Sequence, residues 1–292
     1  MKLVTVATHS QSYFPFLLES CKRYGAELVV LGFNQPWRGF NQRNVLMEEY
    51  LKSLPPNEVV CFIDAYDVLL LRPLEDLEAL FVNFNKITGA RIVVGCDQDA
   101  SGKVTLGSRF FFGACNNKYI NAGTYIGYAS DLHEMVTYSL DKISDDVKAD
   151  DQVILRKYCS ATKTVHIDCD RVFFLTFAGY KHMPFPLKHP KVNIIIDPVS
   201  HELYYNNIRP FFAHGAGKIN MMNLVEALGY DISAEQRKNI LQETDEWALR
   251  LNTDTGLENS PRIMLVVTMT ISLFIVLVIV LILTKIKSLY RG

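Results

Sequence analysis

The chain has 292 residues, of which 49% are hydrophobic and 21% charged, with a formal net charge of −1. That apolar content can bury a full core and excludes a disordered polymer. Setting aside Arg262 and the three cations of the C-terminal tail leaves about −5 on the remainder, so nucleic acid is not an expected partner.

The first residues, MKLVTVATHS, reach polar side chains too soon for a signal-peptide core, and no small-residue cleavage site follows. Apolar runs then alternate with helical patterns: LVTVAT at 3–8, ELVVLGF at 27–33, EVVCFID at 58–64 and RIVVGC at 91–96. Between the first two, Tyr13, Phe16, Leu17, Ser20 and Cys21 recur at helical spacing, and Gly25 closes the helix. Between the next two, Met47, Tyr50, Leu51 and Leu54 do the same until Pro55-Pro56 stops them. The order β-α-β-α-β with nearly continuous apolar strands predicts a Rossmann-type, mostly parallel sheet with helices on both faces. In such sheets ligands bind beyond the carboxyl ends of the strands, where Thr8, Asn34, Asp64 to Asp67 and Asp97 fall.

After Gly113 the strands shorten (119–128, 163–168, 192–197 and 210–215), which predicts a smaller, mixed second half. Ser233 to Gln236 reads as a capping box opening a helix whose Ile240, Leu241, Thr244, Trp247, Ala248 and Leu251 share a face. A polar linker, Asn252 to Pro261, follows. Met264 to Thr284 is uncharged throughout, and its 21 residues would span roughly 32 Å as a helix, the thickness of a bilayer core. The expected organisation is a catalytic-type domain at 1–230, a helix and juxtamembrane linker at 231–262, a transmembrane helix at 263–284 and a basic tail at 285–292. With no signal sequence recognised, the large domain is expected in the cytosol, although Lys285, Lys287 and Arg291 would themselves favour that side. The six cysteines form no CxxC pair and several lie in apolar runs, so free buried thiols are expected.

Three constellations could carry chemistry. In CFIDAYDV, Asp64 and Asp67 stand three residues apart where a buried strand ends, which suits a hard cation such as Mg²⁺ or Mn²⁺ or else a polar strand end. In HGAGK, His214, two glycines and Lys218 suit a diphosphate with its metal, or form a glycine turn with an exposed lysine. Asp150 and Asp151 begin a helical run, where the helix dipole alone favours carboxylates. A rival site, His166, Asp168 and Asp170, alternates along one strand. Trp37 and Arg38 read as a surface turn or as an aromatic plate beside a guanidinium at the mouth of the crevice.

The order VATH, PWRG, FIDAYDV, YINAGTYIGYASDLH, DDQ and HGAGK, across roughly residues 2–230, resembles the glycosyltransferase domain of the procollagen lysyl hydroxylase family. The resemblance implies a GT-A-type fold and a metal-dependent transfer of a hexose, glucose or galactose, from a UDP-sugar to an acceptor hydroxyl on protein or glycan. Hydroxylysine or glycosyl-hydroxylysine in collagen-like protein is the family acceptor. By the same resemblance, Asp64, Asp67 and His214 would hold Mn²⁺ or Mg²⁺. Thr8, Trp37, Tyr66, Gly215 and Lys218 would meet the nucleotide and its phosphates, while Asn121, Asp150 and Asp151 would face the sugar and acceptor. The segment after Trp37-Arg38-Gly39, glycine-rich in the family, reads FNQRN here. Two other readings are a membrane-tethered binding or structural protein that turns over nothing, and a hydrolase that uses water as acceptor.

Overall fold

The computed structural model of the chain describes residues 1–97, 115–116, 118–143, 151–177, 194–216 and 219–242. In chain order its elements are β1 (Lys2–Val6), α1 (Phe14–Arg23), β2 (Leu28–Leu31), α2 (Phe40–Lys52), β3 (Val59–Ile63), β4 (Val68–Leu70), α3 (Glu75–Thr88) and β5 (Ile92–Cys96). There follow β6 (Ile120–Tyr128), α4 (Ala129–Ile143), α5 (Asp151–Ala161), β7 (Val165–Asp168), β8 (Phe174–Phe177), β9 (Ile194–Ile196), β10 (Leu203–Tyr205), β11 (Phe212–Gly215) and α6 (Met222–Ala227).

The expected βαβ order is realised at the start of the chain. In the main sheet, of order β2-β1-β3-β6-β5-β7, β1 pairs in parallel with β2 and β3, and β5 in parallel with β7. β6 runs antiparallel between β3 and β5, so the sheet is mixed. Burial on both faces explains the unbroken apolar run of β3. Val60 and Phe62 enter the core under α2, α4 and α5, while Val59, Cys61 and Ile63 enter the core under α1 and α3. Each large side chain so buried stabilises the fold by about 2 kcal/mol.

The sequence-based division into a parallel first half and a mixed second half does not hold. β6 and β7 join the main sheet, whereas β4 from the first half leaves it for a three-stranded sheet, β4-β11-β8. Local patterning cannot show this, because the chain switches sheets within the four residues Asp64 to Asp67. β9 and β10 form a separate antiparallel pair.

Helix ends follow local chemistry. Gly25, at φ 65°, lets Ala26 N–H reach Cys21 O at 2.8 Å and ends α1. The Ser233 box is formed reciprocally, with Ser233 N–H donating to Gln236 Oε1 (2.9 Å) and Gln236 N–H to Ser233 Oγ (3.1 Å).

The expectation of six free thiols is corrected. Cys96 pairs with Cys169 and Cys115 with Cys159, leaving Cys21 and Cys61 free and buried. The partners are 73 and 44 residues apart, so no spacing signals them. Pairing of Gly95 with Asp168 in parallel register is what brings the next residues, Cys96 and Cys169, side by side. Among the described residues no helix is long and apolar enough to cross a membrane. The expected span at 263–284, and the helix face beyond Gln242, lie outside the described residues.

Candidate cation and nucleotide site

Asp64 is the first residue past the buried end of β3, and Asp67 is the last before β4. The turn between them carries the chain from one sheet to the other. On β4's partner β11, His214 sits opposite Val68, and Gly215 N–H donates to Asp67 O at 2.8 Å. Two strand pairings thus bring together a carboxylate pair and an imidazole about 150 positions apart. One ligand atom from each of Asp64, Asp67 and His214 lies within 4.8 Å of the others, and His214 Nε2 is 3.4 Å from Asp67 Oδ1.

The electrostatics of this trio call for a cation. Burial raises the Asp64 carboxyl above its ordinary value; the Arg43 guanidinium opposes that rise and the Asp67 charge adds to it. Burial would lower the His214 imidazole, but the charges of Asp67, Asp64 and Asp97 outweigh it and hold it above its ordinary value. Asp67 Oδ1 and His214 Nδ1 are buried without a hydrogen-bond partner. Two carboxylates, one with an oxygen that lacks a hydrogen bond, and an imidazole that would ligate once deprotonated fit a divalent cation.

Gly123 forms the floor. Between β5 and β6 the register jumps from Val94–Tyr125 to Gly95–Asn121, so Ala122 to Thr124 bulge out of that ladder. Gly95 permits the bulge, because a β-carbon there would collide with the Thr124 side chain. The bulge delivers Gly123 O to Asp64 N–H at 2.8 Å. Asn121 Oδ1 accepts from Gly123 N–H at 3.0 Å, and its amide nitrogen lies 3.5 Å from Asp97 Oδ1. Asn121 is therefore a buried brace of the floor.

Tyr66, half-buried between the two aspartates, points its hydroxyl at the end of β1. It accepts from Thr8 N–H at 3.0 Å and donates to His9 O at 3.3 Å. This brings Thr8 and Tyr66 together at the end of β1. Trp37 stands 48% exposed on the loop between β2 and α2. Gly215 spends its N–H on Asp67, and a β-carbon there would press on Met221 Sδ at 2.6 Å, so packing alone requires glycine. Asp150 and Lys218 lie outside the described residues.

Asp151 opens α5 and does reach the site, through a residue that the sequence reading missed. Arg43 on α2 donates from one terminal nitrogen to Asp64 Oδ1 at 2.9 Å and from the other to Asp151 Oδ2. It is 8% exposed, with its guanidinium carbon 5.4 Å from the centre of the Phe62 ring. Extending the Met47–Leu51 stripe back one turn lands on Arg43, and a charge on an apolar stripe was the available signal. The rival trio is not a site: Asp168 accepts from Val172, Phe173 and Phe174 N–H at 2.8–3.0 Å, and the His166 ring packs on Phe84.

The family model described as "PLOD GT domain" matches residues 1–226. A Drosophila melanogaster procollagen-lysine,2-oxoglutarate 5-dioxygenase is 22% identical over 231 residues, covering 74% of this chain and 30% of that protein. The human multifunctional procollagen lysine hydroxylase and glycosyltransferase LH3 is 23% identical over 156 residues, covering 49% of this chain and 20% of that one. The chain thus spans less than a third of the length of these curated relatives. Among solved structures, the galactosyltransferase LgtC in complex with donor and acceptor sugar analogs aligns at TM-score 0.46 and 15% identity, covering 82% of this chain and 100% of that one.

Proposed function

Because the chain belongs to the family of PLOD glycosyltransferase domains, we propose that it transfers a hexose from a UDP-sugar to an acceptor hydroxyl, in a GT-A-type arrangement with a divalent cation at Asp64, Asp67 and His214. The observation that carries this reading is the convergence of those three side chains, one ligand atom of each lying within 4.8 Å of the others. When bound, the cation would supply Lewis-acid stabilisation of the departing diphosphate. The chain's own residues do the rest. Asp64 and Asp67 hold their carboxylates at the strand ends, Thr8 and Tyr66 form the wall offered to the uracil ring, and Lys218 adds positive charge for the phosphates. Asp151 faces the sugar and acceptor. The acceptor is a hydroxyl on protein or glycan, with hydroxylysine in collagen-like protein as the family expectation.

The two disulfides favour an oxidising compartment for this domain. With the apolar stretch 263–284 as its anchor, such placement leaves Lys285, Lys287 and Arg291 on the cytosolic side, which the positive-inside rule prefers. This placement is the alternative we propose to the cytosolic one expected from the sequence.

The test is a screen of UDP-sugars with Mn²⁺, reading UDP release with and without candidate acceptors. Acceptor-dependent release supports transfer, whereas equal release without acceptor identifies a hydrolase. Binding without release identifies a non-catalytic UDP-sugar-binding protein. Full activity in the Asp64→Ala,Asp67→Ala double variant would overturn the cation assignment.

A further inference from the structure

Arg43 is the one described residue shown hydrogen-bonding both a proposed cation ligand and a carboxylate from the opposite side of the site. Asp64 directly follows β3 and Asp151 opens α5, so the guanidinium ties together elements that no strand pairing connects. It also divides the Asp64 carboxylate. Oδ1 is taken by Arg43, while Oδ2 lies beside Gly123 on the side that His214 also occupies, since a β-carbon on Gly123 would sit 2.5 Å from Asp64 Oδ2 and 3.0 Å from His214 Nε2. The arginine therefore fixes which oxygen is presented to the cation. Its own freedom is small: the side chain is 10% exposed, lies over Phe62, and rises from the helix face that buries Met47 and Leu51.

We propose that Arg43 is a positioning residue that couples occupancy of the cation site to the placement of Asp151. The inference rests on the cation reading above. A cation held by Asp64, Asp67 and His214 would draw negative charge from the Asp64 carboxylate, which would weaken the hold of Arg43 on Asp64 and strengthen its pairing with Asp151. By reciprocity, removing the Asp151 charge leaves the guanidinium to Asp64 alone and makes that carboxylate a poorer ligand. The planar fork serves the two carboxylates from separate nitrogens held in fixed geometry; a lysine ammonium keeps the charge but places all its donors on one atom of a shorter, flexible stem.

The test is a double-variant cycle on Mn²⁺ affinity, read by titration calorimetry on the full chain without sugar donor, with thermal midpoints as the control for folding. Asp151→Asn, which removes no proposed ligand, is expected to weaken Mn²⁺ binding at least about fivefold. In the Arg43→Lys background the same change is expected to have a clearly smaller effect, because the path through the fork is gone. An unchanged Mn²⁺ affinity in Asp151→Asn overturns the coupling, whether or not Arg43→Lys folds. Equal losses in the two backgrounds also overturn it, since they show only a direct charge effect. If the unsubstituted protein binds no divalent cation, the cation reading fails and this inference with it.

Discussion

Gly123 lies directly against His214: a β-carbon on Gly123 would stand 2.5 Å from His214 Cε1 and equally close, 2.5 Å, to Asp64 Oδ2. No real β-carbon tolerates such contacts, so this position on β6 sets the separation of two proposed ligands. Gly123→Ala is expected to leave the sheet intact, at an overpacking cost of about 1–3 kcal/mol. Because it must push Asp64 or His214 aside, Mn²⁺ affinity should fall about 10- to 100-fold. Calorimetric titration together with a thermal melt separates the two effects.

Cation binding should release protons. Both Asp64 and His214 are held above their ordinary values, the first chiefly by burial and the second by neighbouring carboxylates that outweigh burial. Ligation needs both groups unprotonated, so affinity rises with pH until both have lost their protons. For the cation-free protein the sign follows from the raised folded values. The stabilisation from a protonated His214 is fully present below the ordinary imidazole value of about 6.5 and is lost as pH rises through the folded value. Thermal midpoints of the cation-free protein should fall across that window, and added Mn²⁺ should reverse the fall. A titration in two buffers of different ionisation enthalpy measures the protons released; none would contradict the assignment.

The parts of the site written in local sequence were legible. Asp64 and Asp67 are marked by the unbroken run of β3 followed by two carboxylates, and His214 by a glycine-rich strand end. Arg43, Gly123 and the disulfides were not legible, because each acquires its role through a partner distant in sequence. Arg43 meets Asp151 across 108 positions, and Gly123 is defined by a bulge that exists only once β6 pairs with both β3 and β5. The mixed sheet escaped for a related reason: a strand buried on both faces reads the same whether it is parallel or antiparallel, so β6 gave no sign of its direction.

Tyr66 separates two roles by atom. Its hydroxyl serves the protein, accepting from Thr8 N–H, while under the proposed function the ring would be the part offered to a nucleotide base. Tyr66→Phe should therefore cost about 1 kcal/mol of stability through the lost hydrogen bond. It should leave UDP affinity within about twofold, since only the ring stacks on a base. Tyr66→Ala removes the ring as well and should lose UDP binding by about tenfold or more, a loss of stacking contact. UDP titrations of the two variants, each with a denaturation midpoint, check both halves. An equal loss of UDP binding in the two would show that the hydroxyl itself makes the nucleotide contact.

The disulfides make the compartment measurable. Cys96–Cys169 and Cys115–Cys159 close loops of 73 and 44 residues, and on loop-entropy grounds each stabilises the fold by about 4 kcal/mol. The second also pins residue 115 to α5, the helix that begins at Asp151, so its loss reaches the proposed sugar side of the site. Protein made under oxidising conditions should show two reactive thiols when denatured, Cys21 and Cys61, and six after reduction. Reductant should lower the denaturation midpoint sharply. Cys115→Ala,Cys159→Ala should reduce turnover more than Cys96→Ala,Cys169→Ala at matched folded fraction, because only Cys115–Cys159 is tied to α5. Six reactive thiols in denatured, unreduced protein would remove the argument for an oxidising compartment and return the domain to the cytosolic side.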